Sequence, residues 1–186
     1  DDTRQTGIQS QWKSKKLAPA FMAMNANKKS IALNLKSPKA TKIIHDLVRN
    51  SDIVWENFRP NVANRLNIGY ETLKIINPRL IYCAVSGFGQ NGPLSGRPSF
   101  DGVIQAQSGL MSITGSKETG PMRVGFALAD QVAGITAAFA VSVALFERER
   151  TGLGKFVDVS MLDSIMSLMA QQVSEYTMTG YLSEPN

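Results

Sequence analysis

The chain has 186 residues, 43% of them hydrophobic and 19% charged, with a formal net charge of +5. That composition suits one domain with a sizeable core and excludes a disordered chain. No uninterrupted apolar run reaches the roughly 18 residues of a membrane span. Residues 127–146 come closest, but Asp130 and Gln131 interrupt them, so a buried helix is expected there.

A single cysteine, Cys83, rules out an internal disulfide, and its setting in LIYCAV is that of a small buried hydrophobe. A cytoplasmic location is the simplest home, or the mitochondrial matrix if a transit peptide has been lost. The lone histidine, His45, falls on an amphipathic helical pattern, and no cluster has zinc-ligand spacing. The positive charge suits an anionic partner. Basic residues are scattered apart from KSKK (13–16) and KK (28–29), with no nucleic-acid recognition motif, so a phosphorylated small molecule is preferred to nucleic acid. Both ends read as cut: the chain begins at DDTR without an initiator Met and stops at YLSEPN, straight after a helical pattern.

In chain order, IALNL (31–35) alternates as a short strand does. SPKATKIIHDLVRN follows as a helix, with Ser37 as N-cap, Pro38 in the first helical position, and Ile43, Ile44, Leu47 and Val48 as its apolar face. DIVWEN (52–57) is the next strand. A helical stretch runs from Pro60 to about Leu66, and a second from Tyr70 to Ile76. LIYCAV (80–85) is the third strand. This β-α-β-α-β order with short connections predicts an α/β fold, a parallel sheet covered by helices.

SGFGQNGPLSGRPS (86–99) holds four glycines and two prolines and reads as a long loop. FDGVIQAQSGLMSITG is helical to about Met111. A KETGPMR loop follows, then a helix from Asp130 to about Arg150, the turn TGLG, a strand KFVDVS (155–160), and one final helix, MLDSIMSLMAQQVSEYTMTG. In open parallel sheets ligands bind at the carboxyl ends of strands, which is where ENFRP and SGFGQNGP lie. The dinucleotide fingerprint and the phosphate-binding P-loop are both missing from these residues.

Asp130 is the only charge between Arg123 and Glu147. One reading is an N-cap that meets the positive end of a helix dipole. The other uses the small neighbours Gly125, Ala127, Ala129, Ala133 and Gly134, which let another group approach closely. A partly desolvated carboxylate in such a place can attack an acyl group, and the helix end can offer N–H donors to an oxyanion. The two readings are compatible.

The runs NKKSIALNLKSP, DIVWENFRP, NPRLIYCAVSGFGQNGP, FDGVIQAQSGL, ALADQVAG and GLGKFVDVSMLD, in this order, resemble the signature of family III (CaiB/BaiF) CoA-transferases. The resemblance covers nearly the whole chain, 1–186, as part of the family's large domain without its opening strand and its second half. It implies a Rossmann-like sheet in an interlocked homodimer. It also implies a CoA-transferase that moves CoA from an acyl-CoA, such as a succinyl or related dicarboxyl thioester, to a carboxylic acid. No cofactor beyond the CoA substrate is implied, no metal, no nucleic acid and no membrane.

By the same resemblance Asp130 is the catalytic carboxylate, passing through an anhydride and an aspartyl-CoA thioester. Asn57, Phe58 and Arg65 match positions along the CoA, and Leu33 and Lys36 match positions near its adenine and phosphate end. Where some members carry lysine in the SGFG segment, this chain has Ser86. A sister branch racemises 2-methylacyl-CoA with a histidine before the aspartate of the FDGV-like segment; that position is Phe100 here, which favours transfer. The racemase, and a non-catalytic CoA-binding protein, remain the alternatives.

Overall fold

The structure, a computed structural model, describes residues 2–5, 15 and 17–184, so KSKK lies outside the described residues except for Lys15. The chain forms two compact units, Asp1–Asn34 and Leu35–Asn186. In the first, helix α1 (Pro19–Met24) opens on Pro19, whose missing N–H costs nothing at a helix start. The Arg4 guanidinium lies 4.0 Å over the Phe21 ring, and the N–H of the fully buried Ala18 donates to the Arg4 carbonyl. Residues 31–34 are irregular. The strand expected at 31–35 is not formed: Ile31 is exposed, and no strand among the described residues pairs with this segment. Alternation alone makes no strand without a neighbour to accept its hydrogen bonds.

The second unit runs α2 (Pro38–Val48), β1 (Ile53–Glu56), α3 (Val62–Arg65), α4 (Tyr70–Ile76), β2 (Ile81–Ser86) and α5 (Asp101–Gln107). A 3-10 turn (Leu110–Ile113) and a small hairpin, β3 (Gly115–Ser116) with β4 (Gly120–Pro121), follow. Then come α6 (Leu128–Thr151), β5 (Phe156–Ser160), α7 (Met161–Leu168) and α8 (Ala170–Thr179). The hairpin fills what reads in sequence as plain loop. The single final helix is broken at Met169, and the first half is capped by Ser160, whose hydroxyl accepts the Asp163 N–H.

The main sheet has the order β1-β2-β5, and both pairings are parallel. Every residue of β2 is buried. Its alternate side chains feed two cores, as the period of a strand requires. Ile81, Cys83 and Val85 pack with α6 and α7, while Tyr82 and Ala84 pack with Val48, Ala63 and Leu73 from the helices of the other face. Burial pushes the Cys83 thiol up to about 11, so it stays protonated and packs as a small hydrophobe. Tyr70, Tyr82 and Phe156 stack edge to face and tilted, with centroids 5.4–6.1 Å apart. At Gly154 a Cβ would come within 2.0 Å of the Leu80 carbonyl oxygen, so only glycine lets β5 enter beside β2.

α6 lies on the sheet through small residues. Ala129, Ala133, Ala137, Val141 and Ala144 are buried at helical spacing and allow a close approach. Its opposite face carries Ile135, Phe139, Val143 and Phe146, each at least half exposed, and no element among the described residues covers them. The expected buried helix is therefore buried on one side only. By length and composition alone α6 could cross a membrane.

Arg148 ends the buried face of α6. Its guanidinium donates to the Asp52 carboxylate at 2.9 Å and to the Arg79 carbonyl at 3.2 Å, tying the helix to the loops before β1 and β2. The Arg148 side chain is 8% exposed and that of Asp52 75%. Arg148→Ala is therefore expected to destabilise the fold by about 2 kcal/mol, because the packed side chain is lost and two loops lose their shared donor. Asp52→Asn should cost less than about 1 kcal/mol, because water already screens that partner. Chemical denaturation of both variants checks the asymmetry.

Candidate active site

Parallel strands deliver the loops that follow them to one edge of the sheet. β1 runs into Asn57–Pro60, and β2 into the glycine-rich loop. Both loops reach a cavity of about 290 Å³. Asn57, Phe58 and Arg59 line it from the first loop and Arg97 from the second, while Asp101 comes from α5 and Asp130 from α6. A second cavity of about 310 Å³ shares Asn57 and Asp130 and runs along α6 past Ala133 and Gly134. A Cβ at Gly134 would meet nothing within 4 Å, so the helix backbone is open on that side.

The loops are pinned by polar contacts to the sheet. Asn57 Nδ2 donates to the Val85 carbonyl at 2.7 Å, and the Phe58 N–H donates to the Glu56 carboxylate. Burial raises the Glu56 carboxyl above its ordinary value, and the Phe58 N–H opposes that shift. In the second loop the Gln90 N–H donates to the Asp158 carboxylate at 2.9 Å. The preceding Gly89 has φ +81°, a left-handed conformation that suits glycine. Ser86, at the end of β2, is buried and lines the first cavity, and its hydroxyl has no partner among the described residues.

Asp130 is the third residue of α6, not its N-cap. Ala127 holds the cap position and makes no side-chain cap bond. The capping carboxylate comes from α5 instead: Asp101 Oδ1 accepts the Ala129 N–H at 2.8 Å. The N-cap reading of Asp130 is thereby corrected. The helix end also has less to offer an oxyanion than expected. The Leu128 N–H is given to Phe126, that of Ala129 to Asp101 and that of Gln131 to Ala127. The Asp130 carboxylate itself has no hydrogen bond or ion pair among the described residues. Burial, and after it the negative charge of Asp101, hold its carboxyl above the ordinary value.

A basic cleft of about 650 Å³ is lined by Lys36, Lys42, His45 and Arg65. His45 Nε2 lies 2.8 Å from the Asn67 carbonyl oxygen, so that nitrogen carries the proton when the ring is neutral. The structure thus groups Asn57 and Phe58 with Asp130, and Lys36 with Arg65. Leu33 is half-buried and belongs to the first unit.

The model of CoA-transferase family III matches residues 1–186. The chain belongs to this family. It is 39% identical over 156 residues to succinyl-CoA:glutarate CoA-transferase of Mus musculus, covering 84% of this chain and 36% of that protein. It is 44% identical over 161 residues to acetyl-CoA:oxalate CoA-transferase of Acetobacter aceti, covering 86% of this chain and 41% of that protein. Among solved structures, a CaiB/BaiF family protein from Brucella suis matches with a TM-score of 0.91 and 34% identity, covering all of this chain and 49% of the other. The chain therefore spans less than half the length of these relatives.

Within this family fold, sequence reasoning missed Asp101, Gln105, Arg59, Arg97 and Lys42. The signal for the first two was present in the i, i+4 spacing of an acid and an amide at a helix start. What they grip, residues 124–129, is far from them in the sequence and could not be read there.

A carboxylate raised in the folded state disfavours folding above its folded pKa, and the effect disappears below its unfolded value. Asp130→Asn is therefore expected to raise the melting temperature at pH 7, with the gain vanishing below about pH 4. Calorimetry of both proteins across pH checks this.

Proposed function

We propose that the whole protein is a CoA-transferase in which Asp130 is the nucleophile. The observation that carries this is the position of an unpaired carboxylate in a cleft built from the ends of two parallel strands, beside Asn57 and Phe58. A carboxylate with no competing partner keeps its lone pairs for a carbonyl carbon. Its oxygen attacks the acyl-CoA thioester, the C–S bond breaks, and a mixed anhydride and CoA thiolate form. The thiolate then attacks the aspartyl carbonyl, releasing the donor acid and leaving an aspartyl-CoA thioester. The acceptor carboxylate reverses both steps, so one thioester replaces another. No metal, nucleotide or further cofactor enters this balance.

The basic cleft with Lys36, Lys42 and Arg65 suits the phosphates of CoA. The Asp130 cleft holds Arg59 and Arg97, neither with an acidic partner among the described residues. Two guanidinium groups beside the nucleophile fit an acid with a second carboxylate. Several family relatives are named for such acids, among them glutarate, D-citramalate and mesaconate. The racemase reading is weaker, because Phe100 stands before Asp101 and His45 lines the basic cleft rather than the Asp130 cleft.

Intact-mass measurement of the whole protein after incubation with succinyl-CoA tests the nucleophile. A CoA-sized adduct is expected on the wild type and not on Asp130→Asn, with hydroxylamine cleaving it at Asp130. Binding of several acyl-CoA esters without any adduct would leave a CoA-binding protein; deuterium uptake at the 2-position without an acceptor acid would leave a racemase. For the acid, Arg97→Met should raise KM for glutarate about tenfold by loss of a charge-assisted contact, with KM for butyrate unchanged.

A further inference from the structure

The best-satisfied polar group near the cleft is one that the proposed reaction does not use. Gln105 is fully buried in α5, and every side of its amide is engaged. Its Nε2 donates to Asp101 Oδ2 at 2.8 Å and to the Phe126 carbonyl at 3.3 Å, and its Oε1 accepts the Val124 N–H at 2.9 Å. A flipped amide would set an oxygen against a carboxylate and a carbonyl, so one orientation alone fits. The other carboxylate oxygen of Asp101 takes the Ala129 N–H.

Asp101 and Gln105, one helical turn apart, therefore grip both ends of residues 124–129. That segment leads directly into Asp130. It includes Gly125 and the exposed Phe126, and its own internal bond is the one from the Leu128 N–H to Phe126. Left to itself it has little to hold it, because an irregular segment with few contacts opens easily. The small face of α6 fixes the rest of the helix against the sheet, but not the first-turn residue that points into the cleft.

We propose that the Asp101–Gln105 pair is a positioning device that sets the start of α6 and so aims the Asp130 carboxylate for attack. The proposal rests on Asp130 as the nucleophile. Asp101 acts through the helix end and not on the substrate. Its negative charge has a second effect, since it makes the Asp130 carboxyl harder to ionise and its carboxylate more basic. The charged groups that line the cleft with Asp130 are Arg59, Arg97 and Asp101. Of these, Asp101 opposes the ionised form of Asp130.

The test is steady-state transfer by the whole protein, wild type against Asp101→Asn, followed across pH, with binding of desulfo-CoA as the second readout. An asparagine still accepts the Ala129 N–H, but it turns a donor toward Gln105 and carries no charge. We expect kcat to fall about tenfold or more through misplacement of the nucleophile. We expect the Kd for desulfo-CoA to stay within about twofold, the factor a rim change leaves. The acid limb of kcat should move to lower pH, because Asp130 then ionises more easily. An unchanged kcat, an unmoved acid limb, or a loss explained by weaker binding overturns the proposal. If Asp101→Asn does not fold, Asp101→Glu keeps the charge on a longer stem; kcat should then fall with the acid limb in place, and a wild-type kcat overturns the proposal. An active Asp130→Asn removes the nucleophile reading itself, whatever Asp101 does.

Discussion

Strand β2 is buried along its whole length, and the rest of the second unit is arranged around that burial. A strand with no solvent face must have both sides covered, so its alternating side chains demand a layer of helices on each. One layer is α6 and α7, and the other is α2 to α4. Both neighbours of β2 are parallel to it, so the loops after β1 and β2 leave at the same edge. The cleft is the consequence of that geometry. It forms where the backbone stops pairing and the next helices have not yet closed over it.

α6 links this scaffold to chemistry. At one end Arg148 is buried and holds the loops before two strands. Along the middle, alanines bring the helix close to the sheet. At the other end, Asp130 stands in the cleft with no hydrogen-bond or ion-pair partner among the described residues. Asp130 is exposed to solvent, but partial desolvation and the nearby Asp101 carboxylate make its charge less favourable than in the unfolded chain. The positive end of the α6 dipole offsets part of that cost, since an acid in the first turn of a helix is favoured. Its presence is understandable if the unsatisfied lone pairs serve a reacting carbonyl.

Much of the fold was legible because its elements are locally consistent. α2 begins at Pro38 as its pattern implies, the strands expected at 52–57 and 155–160 contain β1 and β5, and the one expected at 80–85 matches β2 to within one residue at each end. The misreadings have physical causes. Residues 31–35 alternate like a strand, but no ladder receives them. The hairpin at Gly115–Pro121 has too few residues for any periodicity to show. The cap reading of Asp130 follows from Asp being a common cap; the structure gives that task to Asp101, whose backbone lies in another helix.

The sequence by itself determined the alternation of strands and helices, the family signature, and the isolation of one carboxylate in an apolar stretch. These are local facts, carried by periodicity, turn chemistry and residue order. Only the tertiary structure decided which groups surround that carboxylate. It brought Asn57, Arg59, Arg97 and Asp101 to Asp130, set Lys36 with Arg65 in a separate cleft, and closed the amide of Gln105 around residues 124–129. Such pairings join positions from 19 to 73 places apart, and no local preference encodes them. They follow from how parallel strands and their covering helices pack.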